Sequence, residues 1–356
     1  MKKSLQITGL DIGSSKVSVV AAESDGSGSF NIIGHVTSPA KGISRGLVED
    51  LGSATNSVAK ALNKLRDKIG KRPSNIYVNL TGDAVRGERA KGMIPLSMRG
   101  REVTVLDMER CVSVASTISL PLDREIMHKI VHHFSIDDQP YIKNPLGLSA
   151  ARLACEVYIV TAPINQIQNI YKCVDGAGYD VRGVAFGGIA DSMALLEESE
   201  KEEGVVLVNM GNSLTEASIF VKGALAGIDV IPQGAKDFGG NVKESPALNS
   251  IAARINVLSQ DFVKSIDKKP TVILCGGAAF TEGIVEFLEE RLSLTAKVGV
   301  AGDVRGYISG ADSMRCTTAI GLAKYGYSVI KKRALERKNL VKHTYDKLID
   351  IFNNYF

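Results

Sequence analysis

Near the amino terminus the apolar positions come in short, dense runs. Leu5–Leu10, Val17–Ala22 and Phe30–Val36 are rich in β-branched and aliphatic residues, the pattern of strands. "GSSK" and "SDGSGS" separate them with turn-forming residues, which predicts an antiparallel meander. The period then changes. Val58, Leu62, Leu65 and Ile69 recur at helical spacing, and Gly70 marks the stop. "SNIYVNL" returns as a strand.

From Gly82 to Val160 the pattern differs again. A helix is predicted from Asp107 to Ile118, strand-like pieces over His128–Ile136 and Leu153–Val160, and Pro121, Pro140 and Pro145 punctuate the stretch. It reads as an inserted subdomain. A helix follows in which Ile164, Ile167, Tyr171 and Val174 align, stopped by Gly176 and Gly178. At Val205 the opening theme repeats as "VVLVNMG", "EASIFVKG" and "ALAGIDVI". A strand–turn "TVILCGGAAF" and a helix "TEGIVEFLEERL" come later, with one helix, Ala247 to Ile266, between. Two similar halves in one chain, mixing hairpin sheets with helices, predict a duplicated α+β / α/β fold with two lobes.

Composition narrows this picture only slightly. The 356 residues suffice for two domains, and no apolar run reaches the length of a membrane-spanning helix. "MKKSLQITGLDIG" resembles the start of a signal peptide, but Asp11 interrupts the apolar stretch, so it reads as a first strand. The five cysteines, Cys111, Cys155, Cys173, Cys275 and Cys316, are scattered without metal-ligand spacing. They are expected as buried free thiols of a cytoplasmic protein. The formal net charge of +4 equals the excess of basic residues between Lys331 and Phe356. Nucleic-acid binding by the main body is therefore not expected.

The candidate chemistry lies in the turns. In "DIGSSK", Gly13 is expected to take a positive φ, so that the N–H groups of Gly13, Ser14 and Ser15 can form a phosphate nest. Lys16 would add a point charge, and Asp11 could hold Mg²⁺ through water. The plain alternative is a polar hairpin turn. "NMGNSLTE" places Asn209, Gly211, Asn212, Ser213 and Thr215 in the same register, and "CGGA" adds a third turn at Gly276 and Gly277. Three such turns on matching strands suggest a nucleotide enclosed between two lobes. His128, His132 and His133 are expected as packing or surface residues rather than metal ligands.

The three turns together resemble the actin, sugar kinase and heat-shock ATPase superfamily. Several segments narrow this to the bacterial cell-division family FtsA: "REIMHKIVHHFSIDDQPYIKNPLGLSAARLACEVYIVTA", "NIYKCVDGAGYDV", "GHVTSPAKGISRGLVEDL" and "TGDAVRGERAKGMIPL". The resemblance implies a two-lobed actin-like (ribonuclease H-like, duplicated) fold: a first lobe over 1–81 and 163–203, an FtsA-type insertion over 82–162, a second lobe over 204–326, and a basic linker with an amphipathic helix over 327–356. It also implies ATP with Mg²⁺ between the lobes. Asp11, Gly13, Ser14, Ser15 and Lys16 would form the first phosphate loop, with Asp11 at the metal. Asn209, Gly211, Asn212, Ser213 and Thr215 would form the second, and Gly276 and Gly277 the adenosine turn. The implied partners are FtsZ, other division proteins, further copies of the chain in a filament, and the inner face of the membrane at the division site.

Two departures change these expectations. The family's second loop reads roughly "DIGGGTTD", whereas here it is "NMGNSLTE". Asn209 can neither act as a base nor bring charge to a metal, so hydrolysis is expected to be weakened or lost. A whole subdomain of the family is also reduced to the residues between Gly240 and Thr271. In the tail, Tyr345, Leu348, Ile349, Phe352 and Phe356 share one helical face after a basic stretch, which suits an anionic membrane surface. Packing on the protein's own core or in a partner's groove is the alternative. Three functions follow: a membrane-associated division scaffold, an active ATPase or kinase of the same fold, and a nucleotide-free adaptor like those of pilus assembly.

Overall fold

The structure, a computed structural model, describes residues 4–24, 30–263, 268–302, 305–306 and 308–339. The tail residues Tyr345, Leu348, Ile349, Phe352 and Phe356 lie outside the described residues. The chain folds into two sheets of the same design. In the first, Phe30–Pro39, Lys16–Ser24, Leu5–Ile12, Ile76–Leu80 and Val181–Phe186 lie in that order. In the second, Ala224–Ile231, Thr215–Val221, Val205–Met210, Thr271–Cys275 and Ala296–Val298 do the same. In both, the first three strands form the antiparallel meander and the last two add in parallel. The duplication predicted from the repeated strand–turn pattern is thus strand-for-strand. The first sheet gains one further strand, Arg305–Gly306, from the second half of the chain.

The dense apolar runs are explained by burial on both faces. In Val205–Met210, Val205 and Leu207 face a core shared with the first lobe, while Val206, Val208 and Met210 face an outer core. That outer core is closed by the helices Pro246–Val263 and Ile284–Leu292, through Leu248, Ile251, Ile255, Phe287 and Leu288. Between the strands Ala224–Ile231 and Thr271–Cys275 the described elements are two single 3₁₀ turns and that one helix, Pro246–Val263.

Two helices tie the lobes together by exchange. Gly187–Leu195 leaves the first sheet and packs under the second, while Thr317–Asn339 leaves the second lobe and packs on the first sheet. They approach closely enough to require glycine. A Cβ on Gly9 would stand 1.9 Å from the carbonyl oxygen of Ala319, and one on Gly321 1.8 Å from that of Ala190.

The insertion has its own sheet, ordered Gln139–Ile142, Arg124–Ile136, Arg152–Pro163 and Arg86–Pro95. Its helix begins earlier than its apolar pattern predicts, running Val105–Ala115, because Thr104 and Asp107 form a reciprocal capping box. Arg101 pairs with Asp107 at 2.6 Å, and this hydrogen-bonded guanidinium holds the Asp107 carboxyl well below the usual range. The sheet contacts both lobes. His128 Nε2 accepts the Phe186 N–H at 3.0 Å, and the Tyr158 hydroxyl accepts the Ile228 N–H at 3.0 Å. His128 is a packing residue, buried and held neutral with its pKa lowered by desolvation to about 4. In the helix Ile164–Gly176, Tyr171 is exposed, and the buried stripe is Ile167, Ile170, Cys173 and Val174. All five cysteines are buried and free.

The exchanged helices give a direct stability test. Gly321→Ala drives a methyl into backbone and should cost about 2–3 kcal/mol. Gly240→Ala, with nothing within 4 Å, should be close to neutral. Urea unfolding of the two variants checks this.

Candidate functional site

The matching strand ends bring three turns to one cleft of about 310 Å³. Asp11, Gly13, Ser14, Ser15 and Lys16 line it from the first sheet. Asn209, Gly211, Asn212 and Ser213 line it from the second, and Gly276 and Gly277 from the third turn. Met314 and Arg315, at the end of the short helix Gly310–Arg315, and Thr317 and Thr318, at the start of the last helix, close the remaining side.

The first two turns are built alike. The Gly13 N–H donates to the Lys16 carbonyl at 3.0 Å, and the Gly211 N–H to that of Leu214 at 2.9 Å. Gly13 does not take the positive φ expected of it. Its requirement is space, since a Cβ would lie 3.0 Å from the Lys16 carbonyl oxygen, the same distance found between Gly211 and Leu214. Gly276 does have a positive φ, +85°, and a Cβ there would meet Asn209 Oδ1 at 2.3 Å. The third turn is therefore packed directly on the second.

Thr215 departs from the expected set. Strand alternation turns it away from the cleft, and its hydroxyl donates to the Gln233 carbonyl at 2.9 Å. Its neighbour Glu216 lines the cleft instead, buried, with Oε1 lacking any partner.

The turns also touch one another. Ser213 Oγ donates to Ser14 Oγ at 2.7 Å across the lobes and accepts the Arg45 N–H at 3.2 Å. Lys16 Nζ reaches the Arg315 carbonyl at 2.6 Å. A phosphate held by both turns would have to replace the serine–serine bond, offering each hydroxyl a charged acceptor in exchange.

Three carboxyl groups lie at or just behind the cleft floor, Asp191 and Glu216 buried and Asp11 partly so. Desolvation raises Asp11 to about 6, against the lowering effects of Lys16 and of Asn79, which donates to it at 2.8 Å. Desolvation raises Asp191 to about 7, although Thr318 and Asn209 both donate to it at 2.7 Å. Glu216 rises to about 8, through desolvation and then the charge of Asp191. Asp191 was not among the expected site residues. Its sequence signal is an acid inside the small, apolar helix "GGIADSMAL", where a buried acid calls for a specific partner. Among the described residues no three His, Cys, Asp or Glu side chains converge to hold a metal, so a cation here would bring water or phosphate oxygens as further ligands. The donor set suits such a cation-bound phosphate, with serine hydroxyls, glycine-turn backbone and Lys16 on one side and carboxylate oxygens beneath.

Comparison with known proteins agrees with this architecture. Residues 82–161 match the SHS2 domain inserted in FtsA. The chain is similar to the cell division protein FtsA of Pseudomonas aeruginosa, at 27% identity over 90% of this chain and 89% of that protein. It is 25% identical to FtsA of Borreliella burgdorferi, over 93% of each, and 27% identical to FtsA of Escherichia coli K12, over 90% of each. Among solved structures, a chain of the PilM-PilN type IV pilus biogenesis complex superposes with a TM-score of 0.68. It is 16% identical, covering 90% of this chain and 98% of that one. The ethanolamine utilization protein EutJ from Carboxydothermus hydrogenoformans superposes at 0.51, with 13% identity and 90% of each chain covered.

Fold and cleft define an actin-like, two-lobed protein carrying an inserted SHS2 domain. Within that class the chain is similar over about nine-tenths of its length to the bacterial cell-division protein FtsA.

The raised carboxyl groups set a pH dependence. Asp191 and Glu216 bind protons more tightly folded than unfolded, so their contribution is complete below the unfolded value near 4 and is lost as pH rises through about 7 and 8. The lowered histidines His128, His132 and His133 act in the opposite sense near pH 6.5, where an unfolded histidine is still half protonated, and are neutral in both states only above about 7.5. The melting temperature should therefore fall between about pH 7.5 and 8.5, and Glu216→Gln should remove a large part of that slope. Calorimetric melts across this range check both statements.

Proposed function

We propose that this chain is a cell-division scaffold of FtsA type. It holds Mg·ATP between its lobes with hydrolysis weakened or lost, and it joins an FtsZ-type polymer to the inner face of the membrane. The observation that carries the reading is the combination of two features in one chain: a family-specific SHS2 insertion at 82–161 and a cleft where three glycine turns of a duplicated fold converge.

The division of labour follows from the residues. Asp11 meets the cation through water, and Ser14, Ser15 and Ser213 donate to phosphate oxygens. Lys16 supplies positive charge at the rim. Gly277, whose Cβ position is open, leaves room for the sugar edge. Asn209 brings neither charge nor basicity to an attacking water, and Glu216 lies buried with its pKa raised to about 8, protonated near neutrality and unfit as a base. Nucleotide then serves as a structural ligand that sets the lobe angle, and filament formation by further copies of the chain would respond to it.

Membrane attachment is assigned to the tail. Tyr345, Leu348, Ile349, Phe352 and Phe356 recur at helical spacing in the sequence, preceded by Lys331, Lys332, Arg333, Arg337 and Lys338. An apolar aromatic stripe at helical spacing after a basic stretch suits attachment at the interface.

A second reading is a pilus-type adaptor that binds a different partner without nucleotide. The reduced outer part of the second lobe favours it, as does the fold likeness to a chain of the PilM-PilN complex over 98% of that chain.

Calorimetry separates the two readings. We expect Mg·ATP to bind with micromolar to submillimolar affinity and Asp11→Ala to weaken it at least tenfold. Absence of binding at millimolar ATP would leave the adaptor. Removing residues 340–356 should abolish cosedimentation with phosphatidylglycerol-containing vesicles. Raising salt on the intact chain should weaken it, because each basic residue contributes ~1 kcal/mol at an anionic surface. Retention of the truncated chain on vesicles would refute the tail assignment.

A further inference from the structure

Each half of the molecule sets a carboxylate against a primary amide at the end of its first strand, in opposite order. In the first half the carboxylate fronts the cleft. Asn79 Nδ2 donates to Asp11 Oδ1 at 2.8 Å, while Asn79 Oδ1 accepts the Ile12 N–H at 2.8 Å. In the second half the amide is in front. Asn209 stands where Asp11 stands in the first turn, and its Nδ2 donates to Asp191 Oδ2 at 2.7 Å. Asp191 comes from the exchanged helix Gly187–Leu195, is fully buried and does not line the cleft. Its other oxygen accepts the Thr318 hydroxyl at 2.7 Å.

These bonds fix the amide. A primary amide carries donors on nitrogen only and acceptors on oxygen only. With nitrogen directed at Asp191, the oxygen must point away, and Oδ1 lies beside Gly276 in the third turn. With Asp191 ionised, above its raised value of about 7, the flipped rotamer would press a carbonyl oxygen on a buried carboxylate and remove one of its donors, a costly arrangement away from water.

We propose that Asp191 is a positioning residue of the cleft: it locks the Asn209 amide nitrogen inward, so that the second turn presents a neutral acceptor oxygen. An acceptor at that point repels a bare phosphate oxygen and suits a water of a hydrated divalent cation. The cation's charge is then met from the Asp11 side alone, which makes the cleft chemically one-sided although its backbone is nearly symmetric. The ligand assignment rests on the nucleotide reading above. The amide lock itself does not.

The test has two arms. The first uses ligand-free protein at one pH above the raised Asp191 value of about 7, so that this carboxyl is ionised. Asn209→Asp sets two carboxyl groups against each other and should lower the melting temperature by several degrees. Combining it with Asp191→Asn restores one donor and one acceptor in reversed order and should recover most of that loss. No loss in the single variant, or no recovery in the pair, overturns the lock. The second arm is calorimetry of Asp191→Ala, with Asp191→Ser as a smaller perturbation. Mg·ATP affinity should fall tenfold or more, while ATP in EDTA binds as well as before or better, because the freed amide can turn a donor to the phosphates. Equal losses with and without Mg²⁺ would mark a merely structural role, and unchanged Mg·ATP affinity would remove the role altogether. If the intact chain binds neither form, the ligand assignment fails with the nucleotide reading, and the first arm alone decides the lock.

Discussion

The cleft depends on backbone meeting backbone at Gly9 and Gly321. At Gly9 the last helix meets the first sheet, and at Gly321 it meets the other exchanged helix at Ala190, each with no side chain between and with carbonyl oxygen under 2 Å from where a Cβ would be. A methyl at either point would push backbone apart where the two lobes are joined. The shared core reflects the same constraint, since Val205, Leu207 and Ile273 of the second sheet pack in one cluster with Leu10, Val19 and Val78 of the first. The lobes are therefore two units in topology and one in packing. The insertion adds to this by bonding to the first sheet at Phe186 and to the second at Ile228.

On that frame the two phosphate turns are alike in backbone and unlike in chemistry. Both close with the same glycine N–H bond. One strand end carries Asp11 and the other Asn209, with Asp191 set behind it. A symmetric pair of acids would put two charges on a ligand's cation and offer a base for water. This arrangement keeps one front acid, one oriented amide and a buried proton-binding pair in Asp191 and Glu216. On the proposed reading such a site would hold a nucleotide rather than cleave it.

Much of this was legible along the chain. Dense aliphatic runs announce strands covered on both faces, and the repeated strand–turn pattern announced the duplication before any geometry. The turn residues were readable because three glycine turns follow matching strands, although any one of them alone reads as a polar hairpin turn. What escaped was whatever depends on parity or distant partners. Thr215 and Glu216 are adjacent, and only the pleat decides which of them faces the cleft. Asp191 sits among small residues in a helix that reads as core, and its partners Asn209 and Thr318 lie 18 and 127 positions away. Gly13 was assigned to conformational freedom when its actual constraint is room beside the Lys16 carbonyl.

The most direct test of a phosphate clamp shared by both lobes is amide hydrogen exchange at residues 13–16 and 211–214, with and without Mg·ATP. The account predicts that both turns gain protection together, as phosphate replaces the Ser14–Ser213 bond and takes up the backbone N–H groups. Protection of one turn alone, or of neither under saturating nucleotide, would contradict it.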